Sequence, residues 1–255
     1  LLDESDQPLA AHPLIFTSTS ALPKVEFALV LVKAWQTLDY AKILNAKRPA
    51  AQGYLTLQNG LGNLETLLEN LPGERCAAGT CLTGAAAEAP GVVRQSGPGR
   101  LTLPDDPWLT PLAAALESAG FQVDRSPQVA GLLWQKAVIN AAINPLTALL
   151  KITNGQLLER PALIDAITRI AAEGAAVAAA AGVTLPDGDL PELIQEVCRA
   201  TASNRSSMLQ DLENGRQTEI EAINGHLVRV GQSHGVDVHY NRLLWQLIRA
   251  AAQYA

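Results

Sequence analysis

The chain has 255 residues and a mass of 27.0 kDa, with 48% hydrophobic and 17% charged residues, enough for one or two domains with a sizeable core. Its 19 Lys and Arg against 25 Asp and Glu leave a net charge of −6, which argues against nucleic-acid binding, since that needs a basic face. No apolar run reaches the length of about 18 residues that a membrane span requires. The acidic start LLDESDQPLA is unlike a signal or transit peptide, so a cytoplasmic protein is expected. Met208 is the only methionine, and the sequence therefore reads as one lacking its natural start.

In chain order, Phe27 to Val32 is an unbroken apolar run ending at Lys33, the pattern of a parallel strand buried on both faces. A helix is expected from about Trp35 to Ala46, then a strand from Tyr54 to Gln58 closed by Asn59-Gly60-Leu61-Gly62. Asn63 is placed to cap a helix carrying Leu64, Leu67, Leu68 and Leu71. Strands follow at Cys76 to Leu82, Val92 to Gln95 and Arg100 to Leu103, the last two joined by a turn at Gly97-Pro98-Gly99. A helix from about Trp108 to Ala119 and a strand from Phe121 to Asp124 end this half. Such strand–helix alternation predicts a Rossmann-like, doubly wound sheet.

Beyond the Ser126-Pro127 dipeptide the strands stop. Helical apolar spacing runs through Val129 to Leu150, Ala162 to Ala181, Leu190 to Ala202, Ser206 to Leu212, Thr218 to Ser233 and Arg242 to Ala252. Residues 1–127 therefore read as an α/β domain and 128–255 as an all-helical one. A ligand is expected at the carboxyl ends of the strands and in the crevice beside the second domain.

Cys76, Cys81 and Cys198 match no zinc spacing and read as buried reduced thiols, while His12, His226, His234 and His239 form no metal pattern, so no metal is expected. Lys33 either closes a strand in solvent or neutralises a phosphate, and Asn59-Gly60 is either a plain turn or a weak phosphate signal. Lys136, Asn140 and Asn144 fall at i, i+4 and i+8 and share one helical face among apolar neighbours. Polar groups there need partners, supplied either by the backbone or by a substrate. Ser206, Ser207, Gln210 and Asp211 crowd a helix start, and Thr218-x-x-Glu221 fits a capping box that leaves Glu219 unexplained.

Taken together, VKAWQ at 32–36, LQNGLG at 57–62, LWQKAVINAAINPLTAL at 133–149 and SSMLQDLENGRQTEIEAINGHLVR at 206–229 resemble the ketopantoate reductase (2-dehydropantoate 2-reductase) family, in that family's order and over essentially the whole chain. The resemblance implies NADPH-dependent reduction of 2-dehydropantoate to (R)-pantoate, on the way to pantothenate and coenzyme A. It makes Lys136 the general acid and Glu219 the carboxylate that binds the substrate hydroxyl and holds the lysine. Asn140, Asn144, Asn154, Asn204 and Ser207 match substrate contacts, and Asn59 bridges substrate and cofactor. Lys33, Gln36 and Ala85 match cofactor contacts. The partner implied is a small 2-oxo acid, with the protein a monomer or homodimer.

The family opens with a strand and a GxGxxG turn, and no GxGxxG occurs here. A first strand–helix–strand unit of about 30 residues or more is therefore expected to be absent from this sequence. Two other readings compete: a related reductase of another 2-oxo acid, and a non-catalytic relic that binds a metabolite.

Overall fold

A computed structural model describes residues 13–16, 24–47, 51–96 and 99–252. Contacts divide the chain into two units. The first comprises residues 1–32, 36–58 and 64–129, and the second residues 33–35, 59–63 and 130–255. The short turns after the first two strands thus pack as part of the helical unit.

In the first unit, β1 (Phe27–Val30), β2 (Gly53–Thr56) and β3 (Cys76–Ala78) form a parallel sheet in that order. Helices α1 (Thr37–Lys47) and α2 (Asn63–Asn70) make the crossovers. Successive residues of a strand point to opposite faces. Accordingly Tyr54 packs with Val30, Ala41, Leu67 and Leu71, while its neighbour Leu55 packs with Ala77, Leu103, Leu109 and Leu112. Burial on both faces accounts for the apolar run of β2, all four residues of which are buried. It does not hold for β1, which ends at Val30 and leaves Leu29 40% exposed, with Leu31 beyond it 59% exposed, a correction to the expected doubly buried strand from Phe27 to Val32.

The expected strand from Cys76 to Leu82 is instead two. β3 ends at Ala78, and β4 (Thr80–Cys81) joins a second sheet with β7 (Arg100–Pro104) and β8 (Gln122–Ser126), in the order β4-β7-β8. Gly79 sits at the change of sheets, where a Cβ would come within 2.7 Å of the Thr102 carbonyl oxygen. The expected hairpin is also reassigned. β6 (Val92–Ser96) pairs antiparallel with β5 (Gly84–Ala89), and β7 pairs with β4 and β8. β5 is largely alanine, a weak strand former, and so leaves no strand signal in the sequence. Helix α3 (Thr110–Ser118) completes this unit, preceded by a short 3-10 turn with Asp106 as its cap.

The second unit contains α4 (Val129–Leu150), α5 (Pro161–Ala180), α6 (Leu190–Ala200), α7 (Ser207–Glu213), α8 (Asn224–Ser233) and α9 (His239–Ala252). One apolar cluster gathers Val138, Ile143, Ile167, Ile170, Ile194, Met208, Leu227, Val238 and Ile248. Among the described residues no helix is long and apolar enough to cross a membrane. The architecture is a Rossmann-like parallel sheet followed by a helical C-terminal region.

The capping box expected at Thr218 and Glu221 does not form. Residues 220–223 make a turn after a bend at Glu219, α8 starts only at Asn224, and the Glu221 carboxylate accepts instead from Trp245 Nε1 at 3.0 Å and Arg229 at 3.3 Å. The physical reason is that this turn is engaged by other segments, as described below.

Candidate active site

Helix α4 carries the polar stripe read from the sequence. Lys136 and Asn140 are half-buried and Asn144 is buried, flanked by the buried Ala137, Val138, Ala141 and Ile143. The helix continues through Pro145, which has no N–H to give the carbonyl of Ala141 four residues earlier. Asn224, wholly buried, donates its Nδ2 to that same Ala141 oxygen at 3.1 Å. The proline thus removes a backbone donor and an asparagine at the start of α8 replaces it.

The replacement is itself held. Asn224 Nδ2 also donates to Asn241 Oδ1 at 3.0 Å, and Asn241 Nδ2 donates to Glu173 Oε2 at 2.8 Å. Glu173 accepts from the backbone N–H groups of Tyr240 and Asn241 at 2.8 and 2.9 Å, satisfying orphan donors at the start of α9. The polar stripe of α4 therefore rests on a helix fixed by a buried network.

Residues Thr201 to Ser207 form the segment that carries Asn204 and Ser207. One end is tied by Asn154, whose backbone N–H donates to the Asn204 carbonyl at 3.0 Å and whose Nδ2 donates to Thr201 Oγ1 at 2.8 Å. The other end is tied by Ser206, which caps α7 through Leu209 N–H and accepts from Thr147 Oγ1 at 2.8 Å. Asn204 and Ser207 are left exposed between and beside these ties. Asn154 is 8% exposed, and no donor among the described residues reaches its Oδ1. Such an acceptor is costly to leave unmatched and suits a polar ligand group.

Glu219 is 9% exposed and collects the two strand-end turns. Its Oε1 accepts from the Ala34 backbone N–H at 3.3 Å and its Oε2 from Asn59 Nδ2 at 3.5 Å. Next to it, Leu61 N–H donates to the Ala222 carbonyl at 2.8 Å. Gly60 lies at φ 83, and a Cβ there would meet Ala222 Cβ and O at 2.7 Å. The Asn-Gly turn is thus shaped to lie against residues 219–222, which accounts for the glycine without a phosphate.

Lys33 donates to Asp211 Oδ2 at 2.8 Å, with the Asp211 side chain 8% and the Lys33 side chain 40% exposed. The partners are 178 residues apart, so sequence reading had no means to pair them. Asp211 was visible only as one of several polar residues near a helix start. Gln36 and Ala85 belong to the first unit: Gln36 closes the 3-10 turn Ala34–Gln36 ahead of α1, and Ala85 is an exposed residue of β5 opposite Gln95. The structure therefore joins Asn59 to Glu219 and Asn154 to Asn204 by hydrogen bonds, and sets Lys136, Asn140 and Asn144 along one helix.

The three cysteines are free; Cys198 is buried, whereas Cys76 and Cys81 are only half-buried, a correction to the expectation of three buried thiols. Burial, with the Glu74 carboxylate adding to it, pushes the Cys76 thiol up to about 11. Burial likewise pushes Cys198 up to about 11, opposed by the Arg199 charge. Both are protonated and unreactive at neutral pH. Among the described residues no group of His, Cys, Asp or Glu is disposed to hold a metal.

Two family models match the chain: ketopantoate reductase PanE/ApbA over residues 3–108 and the ketopantoate reductase PanE/ApbA C-terminal region over residues 128–252. A 2-dehydropantoate 2-reductase of Halobacterium salinarum is 37% identical over 247 residues, covering 94% of this chain and 80% of its own. A PanE/ApbA family ketopantoate reductase from Ralstonia eutropha superposes with a TM-score of 0.86 at 32% identity, over 92% of this chain and 78% of that one. A D-mandelate dehydrogenase solved with NADH and anilino(oxo)acetate gives a TM-score of 0.82 at 26% identity, over 92% and 79%. With both halves matched in order, the chain belongs to the ketopantoate reductase PanE/ApbA family.

Proposed function

We propose that this protein reduces 2-dehydropantoate to (R)-pantoate with NADPH, as a step toward pantothenate and coenzyme A, acting as a monomer or homodimer on a small-molecule substrate. The family membership carries the reaction, and the polar stripe of α4 carries its chemistry.

The turns after β1 and β2 stand at the carboxyl ends of neighbouring parallel strands, where doubly wound sheets bind their ligands. The Lys33 ammonium and the amides of Gln36 and Asn59 give a donor set suited to a polar, anionic dinucleotide. Together with Ala85 they would hold the cofactor, which when bound supplies the hydride. Lys136 donates the proton to the ketone oxygen as its charge develops, and the oxygen becomes a hydroxyl. Glu219 receives the substrate hydroxyl and, through Ala34 N–H and Asn59, keeps both strand-end turns in register with it. Asn140, Asn144, Asn154, Asn204 and Ser207 orient the acid, with Asn154 Oδ1 offering an acceptor that no described side chain uses.

A second reading has one specific observation behind it: the D-mandelate dehydrogenase, solved with NADH and anilino(oxo)acetate, shares the fold over 92% of this chain. The same lysine and carboxylate would serve another 2-oxo acid. Steady-state rates of NADPH and NADH oxidation with 2-dehydropantoate, benzoylformate and pyruvate separate the two. A kcat/KM for 2-dehydropantoate at least about tenfold above the others is expected, which corresponds to about 1.4 kcal/mol of discrimination. A preference for another acid would replace this substrate assignment.

A further inference from the structure

We propose that Gln58 is a positioning residue for cofactor binding: its side-chain amide staples shut the turn that carries Lys33 and Gln36. This rests on the proposed nucleotide-dependent function, since it concerns the shape of that same binding turn.

Gln58 is the last residue before the Asn59 turn. Its Nε2 donates one hydrogen to the Val32 carbonyl at 2.5 Å and the other to Thr37 Oγ1 at 2.9 Å. Val32 is the residue just before Lys33, and Thr37 the residue just after Gln36. One amide therefore spans both ends of the four-residue segment Lys33–Gln36. Its own orientation is fixed, because Oε1 accepts from Thr56 Oγ1 at 2.8 Å, and the same Thr56 oxygen accepts from the Gln58 backbone N–H at 3.2 Å. Thr37 and Thr56 are each 2% exposed, so water is a poor substitute for either bond.

The residue type follows from the geometry. A primary amide offers two donors and one acceptor in a plane, and all three are used here. Glutamate of the same size has no donor for the Val32 carbonyl, and asparagine is one methylene short. The apolar sequence around Gln58 gave no reason to single it out, because its partners come from β1 and α1 rather than from its own strand. Small displacements of binding groups cost affinity steeply, which is the effect this staple prevents.

The test uses the intact protein. NADPH affinity is read by quenching of intrinsic fluorescence, and kcat and KM by NADPH oxidation with 2-dehydropantoate. Gln58→Leu and Gln58→Glu are expected to raise the Kd and KM for NADPH by about tenfold, with kcat at saturating cofactor within about twofold of the parent. Thr37→Val, which removes one of the two bonds, is expected to give a smaller rise of about threefold, and Thr37→Ser, which keeps the hydroxyl, to restore the parent affinity. Parent-like NADPH affinity in folded Gln58→Leu would overturn the proposal. So would a fall in kcat at unchanged Kd. If the Gln58 variants do not fold, the contrast between Thr37→Val and Thr37→Ser decides: equal affinities sink the staple. Failure of the unsubstituted protein to bind NADPH or to turn over substrate would instead count against the function on which this rests.

Discussion

The two units bury their apolar residues in different ways. In the helical unit they merge into one cluster reaching from Val138 to Ile248, whereas the α/β unit divides them between the two faces of a thin parallel sheet. A single cluster makes every helix answer to every other, and it lets a polar stripe such as Lys136, Asn140 and Asn144 be held at fixed angles. The turns that follow β1 and β2, at 33–35 and 59–63, belong to the helical unit rather than to the sheet. Under the proposed function, proton chemistry falls to the helices and cofactor grip to the turns.

The sharpest way to break that division is Lys136→Ala, which should lower kcat for 2-dehydropantoate reduction by about 10²- to 10⁴-fold with NADPH affinity nearly unchanged. Stopped-flow or steady-state NADPH oxidation reads this, and undiminished turnover would remove Lys136 from the chemistry. Next in size, Ile167→Ala should destabilise the helical unit by about 2–5 kcal/mol, since the residue is fully buried in its one cluster. Urea unfolding followed by circular dichroism measures it, and a loss below about 1 kcal/mol would mean that the cluster is not a single cooperative core.

A smaller effect tests the polar network beneath the stripe. Asn224→Ala leaves the Ala141 carbonyl without its side-chain donor and should cost about 1–3 kcal/mol. Adding Pro145→Ala, which returns a backbone N–H to that carbonyl, should recover part of the loss. Strict additivity in the double-mutant cycle would show that the two residues are not coupled. The smallest effect concerns pH. Cys198 is raised in the folded state from 9.0 to about 11, so the folded chain holds its proton longer than the unfolded one. The stabilisation is fully present below pH 9 and declines as pH rises toward 11. Denaturant midpoints measured across that range should fall less steeply in Cys198→Ala, and identical slopes would exclude the thiol as a contributor.

How much of this was legible in the sequence depended on whether a residue's partner was near it in the chain. The bounds of α4 and the shared face of Lys136, Asn140 and Asn144 follow from helical periodicity and hold as read. The β5–β6 hairpin was hidden because alanine carries little strand signal, while Gly97-Pro98-Gly99 advertised a turn between strands that do not pair. Thr218 and Glu221 satisfied a local capping pattern, yet Glu221 is drawn to Trp245 and Arg229. Asp211 as the partner of Lys33, and Gln58 as the partner of Val32 and Thr37, depend on contacts that no local pattern encodes.

The asparagine that serves the proline-broken turn of α4 also has a consequence for how such chains diverge. A lineage that replaced Pro145 with an ordinary residue would regain a backbone donor and lose the need for Asn224. A lineage that lost Asn224 first would carry an orphaned carbonyl in its core until the proline changed. The two positions should therefore be inherited as a pair, and substitutions at one should cluster on the same branches as substitutions at the other.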